Sequence, residues 1–156
     1  MKAAPAHAEA RRGIKAVGIM RKACMIMSII LMLAGISFAG EMRIIVAVKG
    51  RNMNAVLEDN PASRALFAQL PAVFKMRNVF GREMSCTLPI VLPTGKLSAN
   101  SYRVGDIIYM PHRHSLSIIY KQNGERFQRQ HIGHIEAGAE IFAGKGNIDV
   151  LLVPAE

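Results

Sequence analysis

Short strand-like segments, separated by turn signals roughly every 8–12 residues, dominate the sequence from residue 42 onward. Each segment has five to ten residues and is rich in β-branched or alternating apolar side chains. Such spacing is typical of a closed or nearly closed antiparallel barrel. The sequence therefore predicts a mainly β domain with about eight strands. The predicted strands are Met42–Lys49, Met53–Glu58, Val73–Val79, Glu83–Leu88, Asp106–Met110, Leu116–Tyr120, Arg126–Ile135 and Asn147–Val153.

One clear helix interrupts the strands. Asp59 or Asn60 can act as its N-cap, and Pro61 suits the first helical position because the missing N–H would be unpaired there. An apolar stripe at helical spacing follows, and Pro71 prevents continuation, which predicts about three turns. Glu136–Phe142 is predicted to form a second, short helical turn.

Residues 1–40 have the composition of a secretory signal. Arg21 and Lys22 precede the uncharged 12-residue run Ala23–Ala34, and small residues at Ser37 and Ala39 suit cleavage before Gly40. The prediction is a leader over 1–40, with a possible true start at Met20, and one domain over 41–156. The chain is then exported, to the periplasm or secreted. The alternative is an inner-membrane anchor over residues 23–39, so that any membrane contact comes only through an uncleaved leader.

The distribution of positive charge along the chain argues against a nucleic-acid partner. Residues 1–40 contribute five of the nine net positive charges. The remainder mixes acids with bases and has neither a Lys/Arg run nor a tryptophan, whereas nucleic-acid binders need a basic stripe, often with aromatic residues. Cys86 is the single cysteine of residues 41–156, so it forms no internal disulfide, and it is interpreted as a small core residue.

Four motifs occur in an order that resembles the small bacterial cyclophilin-like proteins. Leu57 to Pro71 (LEDNPASRALFAQLP) carries the strand–helix signature. Glu83 then precedes two Leu-Pro pairs, at 88–89 and 92–93. Tyr102 to Ile107 (YRVGDI) and Ile132 to Ile135 (IGHI) complete the series. The resemblance implies a cyclophilin-like, closed, eight-stranded barrel with few helices, from a family of unassigned function.

Prolyl isomerase activity does not follow from this resemblance. True cyclophilins use an arginine in a Phe-His-Arg segment, whereas this chain has Phe127-Gln128-Arg129 and lacks the motif that should follow. The sequence therefore does not decide whether the protein is an enzyme, and it favours a protein without catalytic activity.

The histidines of the domain form two pairs. An extended His112-x-His114 would direct both imidazoles to one side, as a bidentate metal site requires, although no complete metal motif accompanies them. His131 and His134 are three residues apart, which on a regular strand places them on opposite faces.

The functional prediction is a binding module for a small molecule or peptide, without a cofactor. Candidate ligand-binding residues are Arg64, Tyr102, Tyr120 and His134. The alternative is an enzyme, either a weak prolyl isomerase or an acid/base catalyst that uses His134 with Glu83. The sequence leaves the ligand and the oligomeric state open.

Overall fold

The computed structural model describes residues 41–99, 101–122 and 124–156; the predicted leader lies outside them. The described chain forms a closed barrel of eight antiparallel strands with one α-helix and two separate 3-10 turns, which confirms the predicted fold. The helix α1 spans Pro61–Phe67. The strands are β1 Met42–Val48, β2 Arg51–Leu57, β3 Ala72–Val79, β4 Glu83–Thr87, β5 Asp106–Met110, β6 Ser115–Ile119, β7 Gln130–Ile135 and β8 Ile148–Pro154.

The order of strands around the barrel is β1-β2-β7-β5-β6-β4-β3-β8, and β1 closes it by pairing with β8. Three hairpins, β1–β2, β3–β4 and β5–β6, supply three of the eight strand pairings, and the other five join strands that are not consecutive in the chain. The late strand β7 lies between β2 and β5, both of which precede it by many residues. Residues distant in sequence therefore meet along β7.

The core fills the barrel interior with side chains at alternate strand positions. On β1 these are Ile44, Val46 and Val48, because successive side chains of a strand point to opposite faces. Tyr109, Tyr120 and Phe142 are the bulkiest contributors to the same cluster. Cys86 packs half-buried against this core, and burial raises the pKa of its thiol to about 11, so the thiol stays protonated at neutral pH.

Helix α1 is held against β7 by its own N-terminal cap. Asn60 is the N-cap residue, and its Oδ1 accepts from the backbone N–H of Ser63 at 2.9 Å. The amide of Asn60 donates to the carbonyl of His131 at 2.9 Å, and the hydroxyl of Ser63 donates to that of Ile132 at 2.8 Å. These bonds fix the helix to the segment of β7 that carries the histidines.

The helix is shorter than the predicted three turns. Beyond Phe67 the backbone bonds from Gln69 to Leu66 and from Leu70 to Phe67 span only three residues, so the last turn is no longer α-helical. The residue before a proline avoids the α conformation, and Leu70 precedes Pro71. The predicted second helical turn is a short 3-10 turn at Ala139–Phe142.

A β-bulge interrupts the pairing of β5 with β7. Asp106 pairs with His134 and Ile107 with Gly133, but Ile108 pairs with His131, which leaves Ile132 as an extra residue on β7. An extra residue shifts the alternation of side chains by one position. The histidines on either side of the bulge are thereby brought to the same face.

Among the described residues, no helix is long and apolar enough to span a membrane.

Candidate functional site

The carboxylate of Asp106 is the centre of a polar cluster on the outer side of β5 and β7. Its Oδ1 lies 2.9 Å from Nδ1 of His134 and 3.3 Å from Nε2 of His131. Its Oδ2 accepts from the backbone N–H of Arg103 at 2.7 Å. The side chain is only 5% exposed, so these bonds form with little competition from solvent.

His131 lies between two carboxylates. Its Nδ1 is 2.6 Å from Oε1 of Glu58, and its Nε2 faces Asp106. An ionised carboxylate accepts hydrogen bonds but cannot donate them, so both ring nitrogens donate only when the ring is doubly protonated. The geometry therefore favours the imidazolium form of His131, held between Glu58 and Asp106.

The pKa directions agree with this geometry. Burial raises the pKa of Asp106, but hydrogen bonds from His131, from the backbone of Arg103 and from His134 outweigh it and lower the value from 3.8 to about 2. Burial lowers the pKa of His131, but the hydrogen bond and charge of Asp106, together with those of Glu58, bring it above its ordinary 6.5. The cluster is thus an ion pair rather than a neutral network.

The expectation that His131 and His134 lie on opposite faces is wrong. Both rings contact the same oxygen of Asp106. The bulge at Ile132 supplies the extra residue that turns a three-residue separation into a same-face pair.

A cleft of about 350 Å³ opens beside this cluster. We call it the Asp106 cleft, and it is lined by Glu58, Lys96, Ser98, Ser101, Arg103, Asp106, Arg129, Gln130 and His131. Glu58, which directly follows β2, and strands β5 and β7 contribute its acidic and imidazole side. The segments at 96–103 and before β7 contribute its cationic side. A bridge between Ser98 and Arg129 joins those two segments.

Arg129 is the most deeply buried cation of the cleft. The residue is 3% exposed, and its guanidinium carbon lies 5.1 Å from the ring centre of Tyr102 and 5.4 Å from that of Phe127. Nη1 donates to the carbonyl of Phe127 at 3.1 Å, whereas Nε has no hydrogen-bond partner within the described part of the chain. Burial lowers the pKa of this arginine, although the charge of Asp106 opposes the change.

The structure does not bring the predicted acid/base pair together. His134 is on β7 and Glu83 on β4, with β5 and β6 between them, which is roughly 14 Å along the sheet at about 4.8 Å per strand. The carboxylate that fixes His134 is Asp106 instead. Glu83 is buried, which raises its pKa, although the charges of Arg82 and Arg113 oppose the shift.

The other predicted residues lie in different places. Tyr102 forms the aromatic floor under Arg129 and so supports the Asp106 cleft. The ring of Tyr120 is buried in the barrel core, and its hydroxyl accepts from Asn78 at 2.7 Å. Arg64 is exposed on α1 and pairs with Asp59 at 2.5 Å.

His112 and His114 are exposed on the hairpin between β5 and β6, which contains a 3-10 turn over Pro111–Arg113. In residues 41–99, 101–122 and 124–156, no group of three or more His, Cys, Asp or Glu side chains has the arrangement of a metal site.

The pH dependence of stability tests the assignment of His131. A histidine whose pKa is raised in the folded state contributes stability below its ordinary pKa of 6.5, and this contribution is lost as the pH rises through the folded value. We expect the free energy of unfolding in urea to be higher for wild type than for His131→Gln. This difference should be largest at pH 5.5 and should shrink towards pH 9. His114→Gln, on the exposed hairpin, should follow wild type throughout. A margin that grows with pH would contradict the assignment.

Sequence and structure comparisons give a consistent assignment. No curated protein matches the chain. The solution structure of the hypothetical protein AF2241 from Archaeoglobus fulgidus superposes with a TM-score of 0.62 at 17% identity, over 77% of this chain and all of that one. This similarity supports the barrel fold alone.

A profile described as the cyclophilin-like family matches residues 46–153, which contain all of the Asp106 cleft. The chain therefore belongs to the cyclophilin-like family.

Proposed function

We propose that the domain is a binding module that takes a small carboxylate-bearing molecule into the Asp106 cleft. The observation that carries the proposal is the buried Arg129, which lines that cleft and whose Nε has no hydrogen-bond partner among the described residues. A buried donor without a partner costs about 1–3 kcal/mol, and a bound anion would remove that cost.

The charges that remain uncommitted in the cleft are positive. Asp106 and Glu58 are already engaged by the imidazolium of His131, and Asp106 also by His134. Lys96 has no ion-pair partner among the described residues, and Arg103, whose side chain is 73% exposed, makes only a long ion pair with Asp106, at 3.7 Å. A ligand that enters the cleft therefore meets hydrogen-bond donors with positive charge, which suit a carboxylate.

The aromatic neighbours of Arg129 hold its guanidinium before any ligand arrives. The ring centres of Tyr102 and Phe127 lie 5.6 Å apart, and the guanidinium contacts both rings, at 5.1 and 5.4 Å from their centres. A side chain fixed in advance loses little conformational entropy on binding. This preorganisation favours binding of an anion even in a small, open cleft.

The test uses a panel of small carboxylates with matched neutral amides. Acetate, succinate and benzoate are titrated against acetamide, succinamide and benzamide, and backbone amide resonances report the site. We expect shifts at residues 96–106 and 129–134 with the carboxylates alone. Arg129→Met keeps an unbranched apolar stem but removes the guanidinium and its charge, and it should weaken carboxylate binding about 10- to 100-fold, the effect of losing a charged hydrogen bond.

Arg126→Met is the matched control, because Arg126 is exposed three residues earlier and lines no part of the cleft. Equal binding of acids and amides would refute the preference for anions, and failure of the whole panel to shift cleft residues would refute the proposed function.

A second function, proton transfer, is favoured by one observation at His134. Asp106 accepts a hydrogen bond from Nδ1 of this ring and so fixes the orientation of the ring. Nε2 is then the ring nitrogen that is left to exchange a proton with a bound molecule. Gly105 makes the arrangement possible, because a Cβ there would lie 2.9 Å from Cε1 of His134. Turnover of a bound carboxylate, absent in His134→Gln, would favour this function over binding alone.

A further inference from the structure

The hairpin between β3 and β4 is paired over only part of its length. Its ladder has three pairs and ends at Arg77 and Ser85, although β3 begins at Ala72 and β4 continues to Thr87. Continued pairing would place Met76 opposite Cys86. On their other sides the same parts of the strands are paired, Ala72 to Met76 with β8 and all of β4 with β6. We call the unpaired part, Ala72–Met76 facing Cys86–Leu88, the open seam.

Two adjoining cavities mark the open seam. A groove of about 890 Å³ is bordered by Lys75 to Arg77 on one side and by Ser85 to Thr87 on the other. A smaller cavity of about 310 Å³ continues from it towards the end of α1, where Leu66, Phe74 and Leu88 form an apolar floor. Val73 is 59% exposed and Ile90 38% exposed at its rim. The open seam thus combines an unpaired strand edge with an apolar depression.

The charge at the open seam is positive. Lys49, Lys75 and Arg77 border the larger groove, and the single acid beside them, Asp149, pairs with Lys75 at 3.3 Å. Lys49 and Arg77 have no ion-pair partner among the described residues. The rim is therefore complementary to acidic side chains.

We propose that the open seam binds an extended peptide of alternating apolar and acidic residues, which adds as a strand to the edge of β3. An unpaired strand edge offers backbone donors and acceptors that a second extended chain can satisfy. Side chains of the added strand alternate between two faces. One set lies beside Phe74 over the apolar cavity, and the other beside Lys75 and Arg77 at the larger groove.

This surface is separate from the proposed function. The open seam is built by β3 and β4, whereas the Asp106 cleft is built by β2, β5, β7 and the segments beside them. Binding at one is therefore measured independently of binding at the other.

The test titrates the full 156-residue chain with a fluorescein-labelled eight-residue peptide of alternating valine and glutamate. A peptide with lysine in place of glutamate tests charge, and one with proline in place of valine tests the backbone pairing, because proline lacks the N–H donor. We expect the glutamate peptide alone to bind, with amide shifts at residues 72–77 and 85–88. Lys75→Glu/Arg77→Glu should weaken binding at least about tenfold, from the summed loss of two exposed charge pairs.

The control is Lys121→Glu/Arg126→Glu, which makes the same charge change at exposed positions that border neither cavity of the open seam. Equal binding of the acidic and basic peptides, or shifts confined to residues 96–106 and 129–134, would overturn the proposal. Light scattering that gives a dimer, converted to monomer by Lys75→Glu/Arg77→Glu, would also overturn it, since a second copy of the chain would then occupy the open seam.

Discussion

Gly133→Ala is expected to prevent the barrel from folding or to cost about 3 kcal/mol or more of its stability. A Cβ at Gly133 would overlap the carbonyl oxygen of Val56 and would lie 2.8 Å from the Cα of Leu57. Both are backbone atoms of the neighbouring strand β2, so they cannot move aside as a side chain could. Relief would require β2 and β7 to separate next to the bulge that positions the histidines.

Gly146→Ala is the matched control, because a Cβ there meets nothing within 4 Å. Its stability should stay within about 0.5 kcal/mol of wild type, as for most surface substitutions. Circular dichroism and urea denaturation measure both variants. A folded Gly133→Ala with wild-type stability would contradict the close approach of β2 and β7.

Asp106→Asn is expected to cost about 2–3 kcal/mol at pH 7. The pKa of Asp106 falls from 3.8 to about 2 on folding, and each unit corresponds to about 1.4 kcal/mol. Because the folded pKa is the lower one, this stability is fully present above pH 3.8 and is lost as the pH falls towards 2. The difference between wild type and variant should therefore shrink on acidification. Urea denaturation at pH 7 and at pH 3 measures it.

Asp149→Asn is the control for Asp106→Asn. Asp149 is an exposed carboxylate whose ion-pair partner is the exposed Lys75, so its loss should cost no more than about 1 kcal/mol. Equal costs for the two variants would contradict the role of Asp106 as the centre of the cluster.

The fold was predictable because its signals are local. Turn residues and alternating apolar positions marked all eight strands, and Asn60 with Pro61 marked the start of the helix. The motif Ile132 to Ile135 was also visible in the sequence. The structure explains the glycine in it, because β2 approaches Gly133 too closely for a side chain.

The candidate site was predictable only in part. The sequence identified His134 but not its partner Asp106, because their contact depends on β7 lying beside β5. The bulge at Ile132 leaves no clear sign in a single sequence, yet one extra residue reverses which face His131 occupies. The strand predicted from Arg126 begins only at Gln130, so Arg129 belongs to the segment that folds over Tyr102.

The sequence expectation for residues 1–40 stays a prediction. The predicted leader lies outside the described residues, so its cleavage and the export of the chain stay predictions as well. The Asp106 cleft and the open seam are formed by residues 41–156, so neither proposal depends on that prediction.

The protonation of His131 tests the central claim most directly, because the cluster depends on an imidazolium held between Glu58 and Asp106. Side-chain nitrogen NMR distinguishes a doubly protonated ring from either neutral tautomer. At pH 6.5, where an ordinary histidine is half protonated, we expect His131 to be mostly imidazolium in wild type and less so in Asp106→Asn. A neutral ring at His131 in wild type, unchanged by Asp106→Asn, would contradict the account.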